Sequence, residues 1–119
     1  MGDISLGELE SRFADIIWEH EPVGSMELVK LAEQALGWKK STTFTVLRRL
    51  CAKGLFRNEN GAVTSLISKE RFASIQSTQF VDESFGGSLP SFLAAFSSGR
   101  KLSADEISEL RRLIDEQEG

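Results

Sequence analysis

The 119-residue sequence contains one cysteine, one histidine, two prolines and no tyrosine. A single thiol, Cys51, excludes an internal disulfide and a thiolate-rich metal cluster, and suits a reducing compartment. No group of residues has metal-ligand spacing, and there is no phosphate loop or dinucleotide fingerprint. A Cys51/His20 pair would lack a third orienting group and an oxyanion loop, so an enzyme is not expected. Long hydrophobic runs are missing as well. The amino terminus has no basic region followed by an apolar stretch, which reads as a cytoplasmic chain without signal peptide or membrane insertion. Repeats, low-complexity tracts and flexible linkers are absent too. The length allows one domain, or a small domain with an appendage, and buries a core without staples.

Acidic residues outnumber basic ones, 18 to 14, for a net charge of −4. Yet the window from Gln34 to Asn58 contains no acid and carries six cations, Lys39, Lys40, Arg48, Arg49, Lys53 and Arg57. The remainder therefore holds −10. Such asymmetry points to a phosphate-facing surface in an otherwise acidic protein. On a helical wheel Thr43, Val46, Leu47 and Leu50 form a buried stripe, with Ser41, Thr45, Arg48 and Ala52 opposite. Short hydroxyls, small side chains and guanidinium groups suit a helix inserted into a major groove. Lys40, Ser41, Thr42, Thr45, Arg48 and Arg49 are the expected DNA contacts, and Lys39, Lys53 and Arg57 the phosphate clamps. The competing reading is an ordinary solvated helix face.

Along the chain, Ser5-Leu6-Gly7-Glu8 has the form of a capping box before the stripe Leu9, Phe13, Ile16, Ile17, predicting a helix from Leu6 to Glu19. Glu21 to Gly24 stops it and leaves room for a short strand. Ser25 is placed to cap a second helix, Met26 to Leu36, with the stripe Leu28, Leu31, Ala32, Ala35. The basic helix follows Trp38 and closes at Gly54. Two short apolar segments flanking Asn60-Gly61 predict a β-hairpin. Three helices followed by a hairpin, with the third helix basic, make a winged helix-turn-helix. Trp18 and Trp38 read as packing residues.

Ser68 caps a further helix through Phe72, Ile75, Phe80, Val81 and Phe85, which Gly86-Gly87 ends. Ser88-Leu89-Pro90 opens a short helix through Phe92, Leu93 and Phe96. Ser103-Ala104-Asp105-Glu106 starts the last helix, with Ile107, Leu110, Leu113 and Ile114 along it. The fold class is mainly α with a small β-hairpin: residues 1–69 as a winged-helix DNA-binding domain and 70–119 as a helical dimerisation region. Phe80, Phe85, Phe92, Leu93, Phe96, Ile107, Leu110, Leu113 and Ile114 exceed what so small a core would use, so pairing with a second copy is expected. Alternatively these helices fold back on their own winged helix.

Four strings give the chain a family resemblance: Asp15-Ile16-Ile17-Trp18, Thr42 through Leu50, Phe85-Gly86-Gly87-Ser88, and Leu102 through Leu110. In this order and spacing the sequence resembles the penicillinase and methicillin-resistance repressors, the BlaI/MecI/CopY family. The resemblance implies a homodimeric transcriptional repressor on an inverted-repeat operator, with no cofactor. It also implies relief by a regulatory protease that cuts in the C-terminal arm, where Ala95-Phe96 occupies the corresponding position. The cysteine cluster of the copper-responsive branch is absent. Two residues depart from the family's pattern, Lys39 for Ser or Thr and Phe44 for a basic residue. Phe44 either meets a thymine methyl or packs against the wing. The wing, Asn60 to Ser68, has no basic or aromatic residue, so a weak wing contact is expected. The rival from another class is a winged helix serving as a protein-interaction adaptor that does not bind DNA.

Overall fold

A computed structural model describes residues 6–119. Helix α1 spans Glu8–His20. The expected box began at Ser5, which lies outside the described residues; Gly7 is the N-cap, and its amide donates to Glu10 Oε1 at 3.2 Å. The face turned inward carries Phe13, Ala14 and Ile17. Leu9, predicted to share it, is half exposed because it lies in the first turn, past the edge of that packed face.

Strand β1, Val23–Gly24, leads directly into α2, Ser25–Leu36. Ser25 does not cap this helix: Gly24, still extended from the strand, is the N-cap. The Ser25 amide instead donates to the Gly61 carbonyl at 2.8 Å. Leu28, Val29 and Ala32 are buried, whereas Ala35 is exposed. Gly37 ends α2 at φ 71°, a left-handed conformation that favours glycine. Helix α3, Lys40–Ala52, buries Thr43, Val46, Leu47 and Leu50, the stripe read from the sequence. Behind it Gly54, at φ 84°, allows the Leu55 amide to reach back to the Leu50 carbonyl at 3.1 Å. This closes the helix with a Schellman bond and aims the chain into the wing.

The wing is β2, Phe56–Glu59, and β3, Ala62–Ser65, joined by Asn60 and Gly61 at φ 53° and 79°. Two consecutive positive φ values make the primed turn whose twist matches an antiparallel pair. The sheet order is β1-β3-β2, with Val63 opposite both Val23 and Asn58. Phe13, Ile17, Leu28, Leu47, Leu50, Leu55, Phe56 and Val63 form one core, joined by Phe72 of α4, Lys69–Phe85. Trp18 packs on Phe56 and Phe72 at 5.2 and 5.6 Å and donates its indole N–H to the Ile67 carbonyl. These elements are a winged helix-turn-helix.

The chain divides into two compact units at Ser77 and Thr78, inside α4. In the second unit α4 ends at Gly86 and Gly87, both at positive φ. Helix α5, Leu89–Gly99, is capped by Ser88 Oγ, which accepts from the Ser91 amide at 3.1 Å, with Pro90 in the first turn. Helix α6, Ala104–Glu118, starts with a complete capping box: Ser103 Oγ accepts from the Glu106 amide and Glu106 accepts from the Ser103 amide. Phe80, Phe85 and Phe92 meet edge to face at 5.5–5.9 Å. An apolar groove of about 410 Å³ lies between α5 and α6, floored by Phe92, Leu93, Phe96, Leu102 and Leu110. Not one residue from 78 to 119 is fully buried.

Candidate nucleic-acid interface

Burial of Thr43, Val46, Leu47 and Leu50 fixes the rotation of α3 and thereby decides what the opposite face presents. Lys40, Ser41, Thr42, Thr45, Arg48 and Arg49 are exposed along it, Lys39 precedes it, and Arg57 is exposed on β2. Lys53, at the C-cap, is half-buried. All nine residues expected to face DNA thus lie on the basic helix, its caps and the adjoining strand of one unit.

The hydroxyls are ordered by the backbone. Thr43 Oγ1 donates to the Lys39 carbonyl at 3.1 Å, so the one polar side chain in this core is satisfied. On the outer face Thr45 Oγ1 donates to the Ser41 carbonyl at 2.9 Å, which spends its proton and leaves the oxygen to accept. Lys39 provides no side-chain cap, and the first turn of α3 contains no acid. The leading amides therefore combine with Lys39 and Lys40 into a positive end suited to a phosphate oxygen. Trp38 holds the turn before α3 by packing its ring, tilted, on Phe13 at 5.1 Å. Phe44 is half-buried against the core.

Arg57 and Arg49 of the window both meet carboxylates. Arg57 Nε lies 3.7 Å from Glu59 on the wing. Arg49 Nη1 donates to Glu10 Oε2 at 3.2 Å, across 39 residues of sequence. The Gly7 amide foremost, then Arg49 and Lys53, hold the Glu10 carboxyl below its ordinary 4.5, against the opposing effect of burial. Sequence reading missed Glu10 because nothing local to α1 shows which helix it will touch. Arg48 has no ion pair with another described residue. Cys51, on the flank of α3, is half-buried, and burial pushes its thiol above the ordinary 9.0, so it stays protonated at neutral pH.

The wing's base is set by α1. Glu21 accepts from the Ser65 amide at 2.8 Å and from the Ser65 hydroxyl, while Lys69 pairs with Asp15 at 3.0 Å. Its tip, Glu59 through Ala62, is exposed and carries one acid and no base.

The sequence model of the penicillinase repressor family matches residues 6–116. The chain belongs to the penicillinase repressor family. It is 28% identical over 115 residues to the penicillinase repressor of Bacillus licheniformis, covering 93% of this chain and 90% of that protein. It is 26% identical over 117 residues to the methicillin resistance regulatory protein MecI of Staphylococcus aureus, covering 95% and 94%. The same identity and coverage hold for MecI of Staphylococcus epidermidis. The family's description and the first of these relatives are named for repression. Among the described residues of this member no group of His, Cys, Asp and Glu is arranged to hold a metal ion, and no helix is long and apolar enough to cross a membrane. Ala95 and Phe96, at the position where the resemblance implies cleavage, lie within α5, and the Arg100 guanidinium covers the Phe96 ring at 4.7 Å.

Proposed function

We propose that this protein is a sequence-specific DNA-binding transcriptional repressor that acts as a homodimer on an inverted-repeat operator. The observation that carries the reading is the outer face of α3: hydroxyls and guanidinium groups exposed on a helix whose opposite face is locked into the core, with uncapped amides and two lysines at its start. In this reading α3 enters the major groove. Arg48 forks onto a guanine edge, Ser41, Thr42 and Thr45 contact base edges or phosphates, and Lys39, Lys40, Lys53 and Arg57 bind backbone phosphates. The acid at the wing tip keeps the wing's own contact weak. Residues 1–69 serve as the DNA-binding domain.

Residues 70–119 serve dimerisation. A helical unit with no fully buried residue covers its apolar surface by pairing, and Ile107, Leu113 and Ile114 of α6 are exposed together with Phe80, Leu89 and Phe96. A regulatory protease acting at Ala95-Phe96 would first have to unwind α5, since a protease takes its substrate extended.

The test is selection of the purified protein on a randomised duplex library at near-physiological salt, with its solution mass measured on the same sample. Enrichment of a two-fold symmetric site together with a dimer mass is the expected result. Failure to enrich any site, at every salt concentration where the protein stays folded, favours the protein-interaction adaptor instead.

A further inference from the structure

The acid-free window of the sequence is not acid-free in space. Glu10 comes from the first turn of α1, yet its side chain is only 19% exposed and spans two fixed points. Oε1 accepts from the Gly7 amide at 3.2 Å, and Oε2 accepts from Arg49 Nη1 at 3.2 Å. The first bond is local and anchors the carboxylate on its own helix. The second therefore restrains Arg49, which stays 53% exposed at the edge of the groove-facing surface. An arginine held in this way has less freedom to turn to a phosphate, and the same carboxylate lowers the field around Lys53.

We propose that Glu10 is an affinity-limiting residue: by tethering Arg49 it removes one phosphate contact per protomer from the DNA-binding surface. The inference rests on the DNA-binding reading above. Its physical basis is that non-specific affinity is almost wholly electrostatic, whereas binding to the correct site also draws on base-edge contacts. A phosphate contact is common to both modes, so withholding one weakens operator and random duplex by the same factor and leaves their ratio unchanged. Arg49 then belongs to the setting of overall, salt-dependent DNA affinity and not to base readout, unlike its neighbour Arg48.

The experiment compares the full-length protein with Glu10→Gln, Arg49→Gln and the double variant. Each is titrated over a salt series against the library-selected duplex and against a random duplex. Glu10→Gln keeps an acceptor for the Gly7 amide and removes only the charge, and the Arg49 variants approach the same pair from the other side. Each phosphate contact adds about 0.9 to the log–log salt slope. Releasing Arg49 should steepen the Glu10→Gln slope by about that amount per protomer, and at 0.1 M salt tighten binding to either duplex on the order of eightfold for each protomer engaged. The operator-to-random ratio should stay the same. In the double variant the excess slope should vanish, and Arg49→Gln alone should leave the parent's slope nearly unchanged. A Glu10→Gln slope equal to the parent's, or an excess that survives in the double variant, overturns the inference while leaving DNA binding intact. Absence of salt-dependent binding to any duplex by the parent overturns the DNA-binding reading, and this inference with it.

Discussion

Neighbouring residues on α3 have different tasks because their surroundings differ. Arg48 is exposed and carries no ion pair to another described residue, while Arg49 is tied to Glu10. Thr43 and Thr45 both bond a carbonyl one turn back, but Thr43 does so inside the core and Thr45 on the outer face. For Thr43 the bond removes the penalty of a buried hydroxyl; for Thr45 it fixes the rotamer on the exposed face. Arg48→Ala is therefore expected to cost about 1–3 kcal/mol on the selected duplex and to relax preference at one position per half-site. Lys53→Ala should weaken selected and random duplexes alike. Competition titrations against single-base operator variants check both outcomes. Equal losses on operator and random duplex for Arg48→Ala would remove Arg48 from base readout.

At the level of elements, the features legible in the sequence are those decided within a turn or two of chain. The α3 stripe follows from helical periodicity, the Asn60-Gly61 hairpin from the need for two positive φ values, and the Ser103–Glu106 box from reciprocal amide bonds. The misses have tertiary causes. Ser25 is not a cap because pairing of Val23 and Gly24 with β3 carries the extended backbone one residue further. Leu9 lies beyond the packed face of α1, and Glu10 meets Arg49 only once α1 and α3 have packed. No spacing rule encodes that meeting.

The Ser103 box can be tested directly. Ser103→Ala removes an N-cap and should destabilise α6 by roughly 0.5–2 kcal/mol, read as a lower midpoint in urea. Glu106 in the same box also takes a two-pronged contact from Arg100 at 3.1 and 2.7 Å. Arg100 first, then the Ser103 amide, lower its carboxyl from 4.5 to about 2. Its stabilising effect is complete above the unfolded value and is lost as pH falls from 4.5 towards 2. Helicity followed by circular dichroism should fall over that window more in the parent than in Glu106→Gln, which has already lost the charge.

The whole molecule combines one unit that satisfies its own core with another that does not. From residue 6 to 77 the helices and sheet share a continuous set of buried side chains, whereas from 78 to 119 none is fully buried. Phe85 and Phe92 are partly covered by their ring contacts with each other and with Phe80, and the surface left for the proposed second copy includes the outward side of α6, where Leu113 and Ile114 are 47% and 56% exposed. Because these two support little within their own chain, Leu113→Glu with Ile114→Glu should leave each protomer folded while placing like charges across the pairing surface. Sedimentation should then report a monomer mass for the variant and a dimer mass for the parent. On a duplex with both half-sites, the loss of intramolecular second binding should lower affinity by about 10²–10⁴. A duplex with one half-site should be bound as before, since α3 and the wing are untouched. The salt slope on the full site should also drop to about half, because only one protomer's phosphate contacts remain. A double variant that stays dimeric would move the pairing surface away from this side of α6 and towards the apolar groove between α5 and α6.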